Sequence, residues 1–159
     1  MIQFSCDLVD RGWIEAKLCN DVVEEYITAS YLSDAVRDFI IAVTLVLNGS
    51  KNISCNWQEE PGEFRFVFTK NDIFITLKII KFNTTFSTKY DNSGDLVFEG
   101  TEELIRFAKN VKQQYDRLLY KYGEEGYKKN WNYEFPLEEL NCLNLAIIEH
   151  QPKDKHWTI

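Results

Sequence analysis

The stretch WQEEPGEFRFVF, Trp57 to Phe68, concentrates more side chains able to do chemistry than any other part of the chain. Glu59, Glu60 and Glu63 could form a carboxylate set for proton transfer or metal binding, with Arg65 to hold a substrate. The same residues also suit the polar tip of a β-hairpin. Ile53, Cys55 and Trp57 alternate with Ser54, Asn56 and Gln58, and Phe64, Phe66 and Phe68 alternate with Arg65 and Val67. Between the two runs, Pro61 suits the second position of a type I or II turn, and Gly62 the third position of a type II turn. On that reading the glutamates stand on a mobile, solvated end. There a carboxylate aids solubility or touches a partner, and acid catalysis is poorly served. Arg65 falls on the face opposite Phe64 and Phe66, in reach of Gln58 or Glu60, as a surface pair worth at most about 1 kcal/mol.

A second cluster is aromatic. In GYKKNWNYEF, after the glycine at 123, Tyr127, Trp131 and Tyr133 offer large contact area at low entropy cost, as binding hot spots do. The alternation of Trp131, Tyr133 and Phe135 also fits a short strand packed on a sheet edge. The expected partner-contact residues are therefore Glu59, Glu60, Glu63, Arg65, Tyr127, Trp131 and Tyr133.

Other chemistry finds little support. The glycines stand singly, with no phosphate-cradling loop, and there is no GxSxG elbow, HExxH or EF-hand pattern. Cys6, Cys19, Cys55 and Cys142 share no CxxC spacing, and Cys6 and Cys55 sit in alternating apolar runs as small buried hydrophobes. His150 and His156 lie in the last ten residues, far from the cysteines in sequence. Neither an enzyme nor a bound cofactor or metal is expected.

The elements that would position these residues follow from periodicity. Residues 2–9 and 13–19 alternate around an Asp10-Arg11-Gly12 turn and predict an N-terminal hairpin, with a short strand at 26–29. Leu32, Val36, Phe39, Val43 and Leu47 predict a central helix, capped by Ser33 and closed at Asn48-Gly49. Residues 39–47 are apolar all round except Thr44, so this helix should be buried on most of its circumference. Strands follow at 51–58, 63–70, 73–82 and 95–99, with residues 83–94 as the longest loop. Thr101 should then cap a long helix carrying Glu102 and Glu103 in its first turn and a stripe of Leu104, Ala108, Val111, Tyr115, Leu118 and Tyr122, ending at Gly123. Pro136 opens a last helix to about Glu149, and residues 151–159 form a loose tail. The expected fold is α+β: one domain over residues 1–159, built on a single antiparallel sheet. That sheet comprises the N-terminal hairpin and a three- to four-strand meander, covered by the central helix and two C-terminal helices.

Composition narrows the partner. The 159 residues suffice for a core without metal or disulfide. Twenty-five acidic against 18 basic residues leave −7, and no basic run beyond Lys128-Lys129 could neutralise phosphates, which argues against nucleic acid. The apolar run Phe39 to Leu47 is too short for a membrane span, and the N-terminus lacks the features of a signal peptide, so a cytoplasmic protein is expected. An acidic surface suits solubility, or a basic protein partner.

The W-x-x-EPGE-aromatic-R-aromatic hairpin of Trp57 to Phe66 resembles one in a family of uncharacterised small bacterial proteins, where it likewise follows a helix ending in glycine. The resemblance covers the hairpin and, loosely, the helix from Ser33 to Gly49, and implies no activity. In type alone, a small acidic α+β chain without catalytic motifs is similar to immunity proteins, which neutralise the toxin domains of bacterial competition. That likeness implies a protein partner, a basic toxin domain. The alternative is a structural or regulatory homodimer, joined by a sheet edge or the C-terminal helix, with a small-ligand binder or enzyme behind it.

Overall fold

A computed structural model describes residues 1–153 of the chain. The alternation at the N-terminus becomes β1 (Gln3–Asp10), β2 (Trp13–Cys19) and β3 (Glu24–Ser30), an antiparallel sheet in that order. After α1 (Ala35–Leu47) comes a second antiparallel sheet of β4 (Asn52–Glu59), β5 (Gly62–Asn71), β6 (Phe74–Phe82) and β7 (Asp95–Glu103). Helices α2 (Leu104–Trp131) and α3 (Leu137–His150) follow. The class is α+β, but the single sheet expected from the sequence is two. Alternation reports pairing between neighbouring segments, and α1 separates β3 from β4. These two strands lie side by side without a ladder, joined by the Thr28 hydroxyl donating to the Glu59 carboxylate.

One aromatic side chain on α1 joins the sheets. Phe39 is fully buried, stacks on Phe4 of β1 at 5.0 Å, and meets Phe66 at 5.2 Å, Phe68 at 5.7 Å and Trp57 at 5.9 Å on the second sheet. Phe107 of α2 approaches the same ring at 6.5 Å. Such ring pairs add roughly 0.5–1.5 kcal/mol each beyond the area they bury.

Helix α2 closes the open edge of β1. The Asn110 side-chain amide accepts from Phe4 N–H at 2.9 Å and donates to Phe4 C=O at 3.0 Å, as a neighbouring strand would. Arg117 donates to the Cys6 carbonyl and the Tyr122 hydroxyl to the Asp7 carboxylate at 2.7 Å, so side chains cover an edge that would otherwise template aggregation.

Boundaries differ from expectation where a tertiary partner overrides local pattern. Thr101, Glu102 and Glu103 do not begin α2; they continue β7 opposite Thr76, Ile75 and Phe74 of β6. Glu102 is buried there, and its carboxylate accepts Ile2 N–H at 3.1 Å and Glu103 N–H at 2.9 Å. Asp34, not Ser33, caps α1, accepting from Arg37 N–H at 3.4 Å. Pro136 stands just outside α3 as its cap. Gly123 breaks α2 with φ 66° and ψ 172° but does not end it, because helix resumes to Trp131. The expected loose tail lies mostly outside the described residues, as does His156.

Candidate functional site

The hairpin of β4 and β5 pairs Glu59 with Gly62, so Glu60 and Pro61 are the two turn residues, with a cis bond between them. Pro61 thus takes the third turn position rather than the second. Glu60 is exposed at the tip and Glu59 half-buried against Thr28. The solvated end expected for all three glutamates does not extend to Glu63 or Arg65, which are 1% and 9% exposed. The loop at 83–94 covers that outer face of the sheet. Arg65 donates to Glu63 at 3.2 Å, Asp91 at 2.9 Å and the carbonyls of Ser87 and Lys89, with its guanidinium 4.4 Å from the Phe82 ring centre. Its partners are Glu63 and the loop, not Gln58 or Glu60. Gln58 donates to the other oxygen of Glu63 at 2.7 Å and accepts from Phe86 N–H at 2.7 Å, while Thr85 ties both ends of the tip. Both Glu63 oxygens are engaged and its side chain is shut away from solvent. The group is a clasp that binds loop to sheet, and it leaves no free carboxylate face for a substrate or ion.

The aromatic cluster is also internal. Tyr127 and Trp131 lie four residues apart on the resumed turns of α2, both fully buried, rather than in a linker or short strand. Trp131 donates its indole N–H to Asp34 at 2.9 Å, which ties the end of α2 to the cap of α1. Burial raises the Asp34 carboxyl above its ordinary value, against the hydrogen bonds from Trp131 and Arg37. Tyr133 is half-buried, and its hydroxyl donates to the Tyr31 carbonyl at 2.6 Å. As expected, Cys6 and Cys55 are buried; Cys142 is exposed.

Helix α1 carries a candidate contact surface of its own. Leu45 is 42% exposed, and it lines two clefts together with Ile41. One, of about 410 Å³, runs between α1 and the edge strand β4, walled by Asp38, Ile41, Leu45, Ile53, Asn56 and Phe86. The other, of about 320 Å³, lies toward α3, beside Arg37, Glu138, Glu139 and Cys142. Arg37 is turned to the α3 side, its Nε 2.7 Å from Glu139. Asp38 faces the other cleft and makes no ion pair among the described residues. Burial raises its carboxyl above the ordinary value, opposed by the charge of Arg37. Burial likewise pushes up the nearby Cys55 thiol, and the Asp38 charge adds to that shift. The apolar ridge was present in the sequence as Ile41 and Leu45, which lie off the buried stripe. The helix is buried on most of its circumference, as its apolar run predicts, and Leu45 stands on the remaining open side.

Among the described residues no group of three His, Cys, Asp or Glu is placed to hold a metal ion, and no helix is long and apolar enough to cross a membrane. No protein-family model matches the chain, and no curated protein does. Among solved structures it is similar to a chain of a CdiA-CT/CdiI toxin and immunity complex from Enterobacter cloacae. The identity is 9% and the TM-score 0.47, over 73% of this chain and 99% of that one.

Proposed function

We propose that this chain is a non-enzymatic protein-binding module of immunity type, which docks a basic toxin domain on the outer ridge of α1. The observation that carries this reading is the ridge of half-buried Ile41 and exposed Leu45 set between two clefts, with Asp38 on one side and Glu138 and Glu139 on the other. Apolar anchors rimmed by charge are what a contact surface requires, and a chain of net −7 accelerates encounter with a cationic partner. The tip residue Glu60 is exposed and adds acid to the same hairpin that supplies Gln58 to the β4 cleft.

The test is rescue. The chain is co-expressed with any secreted domain that a neighbouring gene encodes, growth is followed, and the two purified proteins are titrated by calorimetry. Growth and a stoichiometric complex are expected. Leu45→Asp should weaken binding roughly 30-fold, the scale of a hot-spot loss of about 2 kcal/mol. Tyr120→Asp, at a position 94% exposed and outside both clefts, should leave it unchanged. Absence of both rescue and complex would remove the proposal.

Self-association through α3 is the second reading. Leu145 and Ile148 are 59% and 60% exposed, three residues apart on that helix. A monomer at all concentrations in sedimentation equilibrium would exclude it.

A further inference from the structure

The β4-side cleft has a chemistry more specific than a docking ridge. Its acid, Asp38, has neither a cation nor a side-chain donor among the described residues, because the adjacent Arg37 is held by Glu139 on the far side of α1. Two further wall residues carry polar atoms without a partner in the protein: Ser33 Oγ and Asn56 Oδ1 are both shut from solvent and unbonded. Turning either side chain toward the cleft breaks no hydrogen bond, and unpaired buried acceptors of this kind are costly until a donor arrives. The remaining walls are apolar: Ile41, Ala42, Leu45 and Ile53, with the Phe86 ring 58% exposed at one side.

Resting on the docking reading above, we propose that this cleft receives one arginine side chain of the partner. Its guanidinium meets Asp38, Asn56 and Ser33, and its methylene stem lies along Ile41, Leu45 and Ile53. Guanidinium is favoured over ammonium because acceptors are spread over two elements. A planar fork with five N–H donors serves several at once, is weakly hydrated, and stacks on an aromatic face such as Phe86. The volume of about 410 Å³ falls within the roughly 300–1,000 Å³ of clefts that hold small ligands. A cation placed there also restores to Asp38 the charge that burial disfavours.

The experiment titrates the full ¹⁵N-labelled chain with Nα-acetyl-arginine methylamide, and in parallel with the citrulline analogue, which has the same shape without the charge. Saturable shifts are expected at residues 33, 38, 41, 45, 53–56 and 86 for arginine, with citrulline at least roughly tenfold weaker. The lysine analogue should fall between them. Asp38→Asn should abolish saturation while preserving the rest of the spectrum. Ser54→Arg, at an exposed cleft position, should compete from within and weaken the ligand by a similar factor. Equal binding of arginine and citrulline, or shifts confined to other surfaces, overturns the proposal. Its failure is separable from that of the docking reading. A partner that binds wild type and Asp38→Asn alike but loses affinity to Leu45→Asp leaves the ridge standing and removes the arginine cleft. A partner indifferent to both changes removes both.

Discussion

Glu63 and Arg65 are the residues on which sequence and structure diverge most instructively. Both were legible as a charged set, but their burial was not. Alternation says which face of β5 a side chain takes, while the cover over that face is a loop 22–26 residues further on. Closing it requires Ser87, Lys89 and Asp91 to come back over the sheet, which no local pattern announces. The consequence is energetic. Removing one member of a buried pair leaves the other uncompensated, at a cost of roughly 3–5 kcal/mol. Glu63→Leu should therefore lose about 3 kcal/mol in urea unfolding, near the lower end because Arg65 keeps Asp91 and two carbonyls. Glu63→Leu combined with Arg65→Met should lose clearly less than the two single changes added together. A single loss below about 1 kcal/mol would place the pair with ordinary surface charges.

At the scale of elements, the strands and the α2 stripe followed from period alone, because each apolar residue counted in them meets the core. The ends did not follow. Glu102 and Glu103 resemble a helix start by charge, yet β6 offers them ladder partners, and a strand results. Gly123 resembles a helix stop, and locally it is one. Tyr127 and Trp131 then have enough core to bury that the chain re-enters helix to reach it. This break depends on glycine for a backbone reason only. A methyl group at residue 123 would meet nothing within 4 Å, but φ 66° with ψ 172° is a region that L-residues avoid. Gly123→Ala should thus cost about 1–3 kcal/mol by thermal or urea unfolding with no loss of packing. An unchanged midpoint would mean that the kink is not held in that conformation in solution.

For the molecule as a whole, acid response divides between two kinds of carboxyl. Burial works against the charge of Asp7, but hydrogen bonds from Lys121 and Tyr122 and the charges of Lys121 and Arg117 outweigh it, and its carboxyl lies below the ordinary 3.8. A depressed native value means that the unfolded chain binds protons more readily. The stabilisation is therefore complete above the ordinary value and is lost as pH falls through the native one. Asp34 and Asp38 run the other way: their raised values favour the folded state when protonated, an advantage lost as pH rises. Asp7→Asn should accordingly flatten the fall in urea midpoint below about pH 4, and a fall of unchanged steepness would deny Asp7 that role. The Asp7 contacts also share a spacing with the rest of the β1 edge. Asn110, Arg117, Lys121 and Tyr122 of α2 reach strand residues 106 to 115 positions earlier in the chain. A ribosome adds roughly 5–20 residues per second, so the first strand waits about 5–20 s of synthesis before the helix that shields its edge exists. During that interval the nascent hairpin is an unshielded template in a crowded polysome, and its safety rests on how quickly the rest of the chain emerges.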